Sequence, residues 1–93
     1  SLIKLPQELY PPITYPQLTV ATTYANAAPE EIETLITKTI EEAISTVKNL
    51  KAIHSVSKEG ISLVIADFAW GTDMNIASLH MREKIDMVKE ALP

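Results

Sequence analysis

Cysteine is absent from the 93-residue sequence, which excludes disulfide bonds, thiolate catalysis and zinc sites built on thiolates. Glycine occurs only twice, at Gly60 and Gly71, so the sequence has no glycine-rich loop that could cradle phosphate groups. The single arginine, Arg82, falls inside a predicted helix, whereas acylphosphatase-like chemistry needs an arginine in a phosphate loop. These absences argue against an enzyme.

Positive charge and aromatic side chains are also scarce. The sequence has 8 Lys and Arg against 12 Asp and Glu, a net charge of −4, and its few aromatic residues are not interleaved with basic ones. A nucleic-acid-binding domain would need a basic stripe, so we predict no nucleic-acid partner. Apolar runs are short: none approaches the ~18 residues that span a bilayer.

Residues that commonly bind metals are few and scattered. His54 and His80 are far apart in sequence and lack the spacing of metal ligands, which favours surface or interface positions for both. Met74, Met81 and Met87 fall on the core face and one flank of a predicted helix, and filling a core is the commoner use of methionine. We therefore predict no metal site and no cofactor.

Several glutamates cluster around the first predicted helix without forming a catalytic set. Acid–base catalysis needs carboxylates whose pKa values are separated in a cleft. Here the first three lie where a helix begins, and the positive end of the helix dipole favours negative charge there. The residues are Glu30, Glu31, Glu33, Glu41 and Glu42.

Hydrophobic periodicity divides the chain into five elements. It predicts strands over residues 17–24, 50–57 and 61–70 and helices over 29–48 and 74–92. Gly60 is expected to take a positive φ in a tight turn between the last two strands. The apolar register slips between Ile53 and Val56, which indicates a β-bulge. The third strand is apolar on both alternations, as in a central strand that is covered on both faces.

The first helix has a clear beginning and one apolar face. Pro29 suits the first helical position, because its fixed φ fits and its missing N–H would be unpaired there anyway. Apolar residues then recur at three- and four-residue steps. They are Ile32, Leu35, Ile36, Ile40, Ala43, Ile44 and Val47.

The second helix presents two contrasting faces. We expect Thr72 or Asp73 to be its N-cap. The predicted core face consists of Met74, Ala77, Met81, Ile85, Val88 and Leu92. The opposite face carries the acidic stripe, which we define as Leu79, Glu83, Asp86 and Glu90. Such a stripe is either a solvated surface or a wet, symmetric contact between copies of the chain.

The element order is β-α-β-β-α, which predicts an α+β fold. One more strand would complete a ferredoxin-like split β-α-β-β-α-β sandwich, so we expect the last strand to be missing after Pro93. Residues 1–16 contain four prolines and are expected to form an extended lead-in. Residues 17–93 are expected to form the α+β subdomain.

A series of short motifs, in this order and spacing, resembles the first periplasmic porter subdomain of resistance–nodulation–division (RND) efflux transporters of the AcrB/AcrD/AcrF type. The resemblance covers essentially the whole chain. The motifs are Leu5-Pro6-Gln7-Glu8-Leu9-Tyr10-Pro11, Thr19-Val20, Ala28-Pro29-Glu30-Glu31-Ile32-Glu33, Ile40-Glu41-Glu42-Ala43, Ser57-Lys58-Glu59-Gly60, Phe68-Ala69-Trp70-Gly71-Thr72-Asp73-Met74 and Arg82-Glu83-Lys84-Ile85-Asp86.

This resemblance implies a periplasmic portion of a proton-driven, trimeric pump in the bacterial inner membrane. A transmembrane helix would directly precede Ile3, and the second helix would line the central pore through the acidic stripe. The implied partners are the other subunits of the homotrimer, a periplasmic adaptor protein, an outer-membrane channel and small-molecule export substrates. The proton-relay residues of the family lie in transmembrane helices, so no transport by this chain alone is expected.

One alternative comes from a different functional class. A stand-alone ferredoxin-like domain that senses a ligand or regulates a partner would fit the same element order. About twenty apolar residues directly before Ile3 would favour the pump, whereas a soluble segment there would favour the stand-alone domain.

Overall fold

The structure is a computed structural model that describes residues 15–92. These residues form two layers, an antiparallel sheet of three strands and a helical layer packed on one face of it. The strands are β1 (Gln17–Thr23), β2 (Leu50–Lys58) and β3 (Ile61–Phe68), and the helices are α1 (residues 29–44) and α2 (Met74–Val88). A short 3₁₀ turn, Lys89–Ala91, follows α2. The α+β class is thereby confirmed.

Strand β3 lies in the centre of the sheet, antiparallel to β1 on one side and to β2 on the other. In this register Val64 is paired with Val20 of β1 and Ser55 of β2. A ferredoxin-like sheet would have a further strand beside β1, and residues 15–92 do not test that part of the prediction. Residues 1–14, most of the predicted lead-in, lie outside the described residues.

The hydrophobic core lies between the sheet and the helices. Every second residue of β3 faces it, and α1 contributes isoleucines at four-residue spacing. Burial of one such side chain contributes roughly 1.5–3 kcal/mol, so the α1 face is a major source of stability. The residues are Val64, Ala66 and Phe68 from β3, Ile32, Ile36, Ile40 and Ile44 from α1, and Ala77 and Met81 from α2.

Helix α1 is not a uniform α-helix. It opens with an α-helical turn (Pro29–Ile32), continues through a π-helical segment (Glu33–Thr37) and ends as an α-helix (Lys38–Ile44). A π-helical turn closes i→i+5 hydrogen bonds and therefore turns fewer degrees per residue than an α-helical one. The π-helical segment therefore changes which side chains face the core, and one predicted core position is wrong. Leu35 is 43% exposed, whereas Thr37 is fully buried in the core.

β1 ends one residue earlier than predicted, at Thr23, and three other elements end two or more residues earlier. α1 stops at Ile44, because the following residues form a turn that leads to Asn49 in the left-handed region, with φ +71°. β3 stops at Phe68, where the next amide leaves the ladder and donates to the Asn49 carbonyl. α2 stops at Val88 and tightens into the 3₁₀ turn.

The β-bulge lies at the start of β2 instead of between Ile53 and Val56. The pairing register shifts between Leu50 and Ala52, so Lys51 is the extra residue. From Ala52 onward the burial alternates regularly, with Ile53 on the helix side of the sheet and Val56 on the opposite side. The apparent slip in the sequence therefore arose from an apolar residue on the outward face.

The β2–β3 hairpin also holds the loop that leads into α1. Gly60 has φ +74°, as predicted, a conformation that costs other residues more than glycine. Its amide donates to the Ala27 carbonyl at 2.9 Å, and its carbonyl accepts from the Tyr24 amide at 2.9 Å. These two bonds fix the position at which α1 begins relative to the sheet.

Candidate functional site

The orientation of α2 is set by a cap and by a buried face. Asp73 is the N-cap, one of the two predicted residues, and its Oδ1 accepts hydrogen bonds from the amides of Asn75 (3.0 Å) and Ile76 (3.3 Å). On the inner side, Ala77 and Met81 are buried in the core. The cap and the buried face together determine which side chains of α2 point away from the domain.

All four residues of the acidic stripe are exposed on the outer side of α2. Leu79 is 54% exposed, and Glu83, Asp86 and Glu90 are also exposed. Their spacing of four, three and four residues puts them on one line along the helix. The structure thus brings the predicted residues together, while their role at a trimer axis stays a prediction.

Two exposed apolar residues beside the acidic stripe were not predicted from the sequence as part of this surface. Ile76 is 51% exposed and Met87 is 77% exposed, so Met87 does not fill the core as the sequence analysis proposed for the methionines. Helical periodicity could have predicted their exposure, because both residues fall outside the core face of the helix, which is centred on Met81. We define the α2 outer face as Ile76, Leu79, Glu83, Asp86, Met87 and Glu90.

The charge on the α2 outer face is distributed unevenly. Its two apolar residues nearest the N-terminus, Ile76 and Leu79, are followed by three carboxylates toward the C-terminus. The negative end of the helix dipole lies there and disfavours Asp86 and Glu90. Within residues 15–92, none of the three carboxylates forms an ion pair with a lysine or arginine. The surface therefore combines apolar area with carboxylates that form no ion pair within residues 15–92.

A polar cluster that the sequence analysis did not identify ties the three strands together. The carboxylate of Asp67 in β3 is 8% exposed, accepts a hydrogen bond from Gln17 Nε2 of β1 at 2.9 Å and lies 2.9 Å from His54 Nε2 of β2. The His54 side chain is 63% exposed, which agrees with its predicted surface position. Only the strand register could have shown that these three residues are neighbours.

A chain of hydroxyl groups connects α1 to the sheet. Thr37 Oγ1 lies 2.7 Å from Ser62 Oγ and 2.9 Å from Ser57 Oγ, and Ser57 donates to the Glu33 carboxylate at 2.9 Å. Each hydroxyl has a single proton to donate. Since Ser57 donates to the carboxylate, it accepts from Thr37, and Thr37 in turn accepts from Ser62. The bonds therefore run in one direction, toward Glu33.

The described residues contain no cluster of side chains that could hold a metal ion. Within residues 15–92, no three His, Asp or Glu side chains converge as metal ligands. His80 is half-buried and lines a shallow hollow of about 210 Å³ beside Lys48 and Asp73. The carboxylate of Asp73 is already engaged as the helix cap. No helix of the described residues is both long and apolar enough to cross a bilayer.

The sequence matches the AcrB/AcrD/AcrF family over residues 1–93. It is 29% identical over 94 residues both to the toluene efflux pump membrane transporter TtgB of Pseudomonas putida and to the multidrug export protein AcrF of Escherichia coli. It is 34% identical over 90 residues to protein HelA of Legionella pneumophila. These alignments cover 97% to 100% of this chain, which spans 9% of the length of each of these curated relatives.

Residues 15–92 form a small α+β domain with an exposed, partly apolar helix face, a class of domain that is suited to contacts with other protein surfaces. The match over the whole sequence identifies the protein class: the chain belongs to the AcrB/AcrD/AcrF family of RND efflux transporters. The predicted resemblance to RND efflux transporters is thereby confirmed, while the assignment to the first porter subdomain stays a prediction. Its relatives TtgB and AcrF are named as a membrane transporter and as an export protein, and neither is named as an enzyme.

Proposed function

We propose that the chain is a periplasmic porter subdomain of a proton-driven RND efflux pump, which lies at the trimer axis and moves with the neighbouring subdomains during alternating access. The observation that carries this proposal is the α2 outer face. It exposes three large apolar side chains and three carboxylates on the same side of one helix. A face of that composition suits a wet contact between copies better than it suits free solvent.

The spacing along α2 supports a parallel arrangement of copies around an axis. Ile76, Leu79, Glu83, Asp86 and Glu90 follow one another at steps of three and four residues, the spacing at which helices meet along a common seam. With Ile76 and Leu79 at one end and carboxylates at the other, three parallel copies would touch at the apolar end. Like charges would hold the acidic ends apart.

The fold proposal is a ferredoxin-like sandwich completed by chain that lies outside residues 15–92. The sheet order β1-β3-β2 supports it, because that fold contains the same three strands in this order. The fourth strand would pair with the free edge of β1. An edge strand that is paired in this way no longer invites association with other chains.

The proposed partners follow from the family. They are two further copies of the pump subunit, a periplasmic adaptor protein and an outer-membrane channel, and the cargo is a small molecule. The relatives' names mention toluene and multidrug export. No arrangement in residues 15–92 selects among such molecules, so this part of the pump serves assembly and movement and does not transport alone.

Cysteine cross-linking across the axis tests the proposal. In a cysteine-free full-length transporter, Leu79→Cys should form disulfide-linked subunits under mild oxidation, because the three α2 helices meet at this residue. Glu59→Cys, in the exposed hairpin turn, is the matched control and should stay unlinked. Absence of linkage at Leu79, or equal linkage at both positions, would contradict the axial placement of α2.

A further inference from the structure

Helix α1 contains one turn that is wider than the turns on either side of it. We define the wide turn as the π-helical segment Glu33–Thr37, where the Lys38 amide donates to the Glu33 carbonyl in an i→i+5 hydrogen bond. The helix is α-helical before and after this segment. A single π-helical turn adds one residue to an α-helix, and such turns occur frequently at functional sites.

The side chains of the wide turn contribute to stability in opposite directions. Leu35 is exposed there, although burial of a leucine is favourable. Thr37 is fully buried, which is destabilising unless its hydroxyl is hydrogen-bonded, and the hydroxyl is bonded to Ser57 and Ser62. The chain of hydroxyl groups therefore supports an arrangement that the apolar side chains alone disfavour.

A second position of the wide turn would exchange Leu35 and Thr37. If the wide turn moved toward the C-terminus, to residues 37–41, residues 33–36 would continue the first α-helical turn. At about 100° per residue, Leu35 would then lie about 60° from the direction of the buried Ile32 and join the core. Thr37 would lie more than about 120° from that direction and face solvent.

Both ends of α1 keep their places in this exchange, because the helix contains one wide turn in either position. Its start is fixed by the hydrogen bonds of Gly60 with Tyr24 and Ala27. Ile44 lies beyond both positions of the wide turn and stays in the core. The exchange therefore requires no movement of the helix ends or of the sheet.

The residues around the wide turn favour a regular α-helix only weakly. Thr34, Thr37 and Thr39 are β-branched, and threonine is a weak helix former. Thr39 Oγ1 donates to the Leu35 carbonyl at 3.4 Å, a bond of the kind that bends helices. A displaced turn therefore meets little resistance from the local sequence on either side of Thr37.

We propose that the wide turn is a conformational switch with two positions. In the first position, which the structure shows, Thr37 is buried and Leu35 is exposed, and in the second position the two are exchanged. The chain of hydroxyl groups favours the first position. The switch changes the outer surface of α1, so that it alters a contact surface without moving the domain. This inference does not depend on the placement of α2 at a trimer axis.

A cysteine at residue 35 reports on the position of the wide turn, since the sequence contains no other cysteine. Leu35→Cys is combined with Thr37→Lys, whose charge does not stay buried in an apolar core. Its reaction with a water-soluble maleimide should be at least about tenfold slower than that of Leu35→Cys alone, with the urea-unfolded chain as the reference. Thr34→Cys faces solvent in both positions and should react at a similar rate with and without Thr37→Lys.

A second background keeps the test decisive if Thr37→Lys unfolds the chain. Ser57→Ala/Ser62→Ala removes both partners of the Thr37 hydroxyl without adding a charge, and it should slow Leu35→Cys in the same way. Slowing in either background, with Thr34→Cys unchanged, supports the switch.

Three results would overturn the inference. Reaction of Leu35→Cys that stays fast in both folded backgrounds would show that the second position does not form. Equal slowing of Leu35→Cys and Thr34→Cys would show unspecific protection. Unfolded-like rates at both cysteines in both backgrounds would also count against the switch, because a second position would have kept the chain folded. None of these results bears on cross-linking at Leu79.

Discussion

Thr37 is a hydroxyl residue on a helix face that otherwise buries isoleucines. Its side chain is fully buried and joins Ser57 and Ser62 in the chain of hydroxyl groups that ends at Glu33. A buried hydroxyl is destabilising unless it is hydrogen-bonded, and here each group has a partner. This chain of hydroxyl groups therefore fixes the rotation of α1 over the sheet. Hydrogen bonds depend on direction, whereas the packing of isoleucines alone does not set the rotation so specifically.

Replacing Thr37 with valine tests this residue-scale account. Thr37→Val keeps the shape but leaves the buried Ser62 hydroxyl without its acceptor, so it should lower the free energy of unfolding by about 1–3 kcal/mol. Adding Ser62→Ala should restore part of the loss, because both members of the buried pair are then apolar. Urea unfolding of the chain measures both effects.

A control on the same helix makes that comparison sharper. Thr34→Val changes the same chemistry at an exposed position and should alter stability by less than about 0.5 kcal/mol. A double variant that is less stable than Thr37→Val alone would contradict the proposed hydrogen-bond direction, since Ser62 would then contribute independently of Thr37.

At the scale of the element, the rotation of α1 separates two neighbouring apolar residues. Leu35 and Ile36 both suit the core face of a regular helix. The π-helical segment Glu33–Thr37 leaves Leu35 43% exposed and Ile36 1% exposed. Because a π-helical segment and an exposed leucine accompany the buried Thr37, the hydroxyl chain and the irregular helix are parts of one arrangement.

Alanine substitutions distinguish this helix from a regular one. Ile36→Ala should destabilise the chain by about 2–5 kcal/mol, because it creates a cavity in the core. Leu35→Ala should have an effect below about 1 kcal/mol, since its side chain is largely in solvent. Thermal or urea unfolding gives both values. Similar losses for the two variants would mean that α1 is a regular α-helix with Leu35 in the core.

For the whole molecule, which has a net charge of −4, apolar area and negative charge act in opposite directions on self-association. The apolar residues Ile76, Leu79 and Met87 favour contact between copies, while Glu83 and Asp86 repel their counterparts across an axis. Such repulsion between exposed charges falls with ionic strength, because the Debye length shortens to about 10 Å at 0.1 M salt. Association should therefore depend on both charge and salt.

Sedimentation over a concentration series measures this dependence. The double variant Glu83→Gln/Asp86→Gln should associate more strongly than the unmodified chain at low salt, and the difference should shrink at high salt. Glu41→Gln/Glu42→Gln on α1 removes the same charge away from the α2 outer face and serves as the control. An equal gain in the control would show that net charge, and not the α2 outer face, governs association.

Local patterns in the sequence determined most of the helices and strands, and they determined that the acidic stripe is exposed on the outer side of α2. Pro29 and Asp73 mark helix starts through fixed φ and side-chain capping, effects that act within a few residues. Gly60 likewise marks the hairpin turn. The outward position of Leu79, Glu83, Asp86 and Glu90 follows from helical periodicity, because any residue opposite a buried face is exposed. The family match also rests on the sequence alone.

Only the tertiary structure decided the features that depend on residues far apart in the chain. Thr37 can be buried in the core because Ser57 and Ser62 of the sheet form hydrogen bonds with its hydroxyl group. No pattern within the sequence of α1 contains that information. The hydrogen-bonded cluster of Gln17, Asp67 and His54 exists because the strand order β1-β3-β2 places Asp67 between the two edge strands. Periodicity reports burial along one element, whereas side-chain hydrogen bonds between elements are set by the register in which the elements meet.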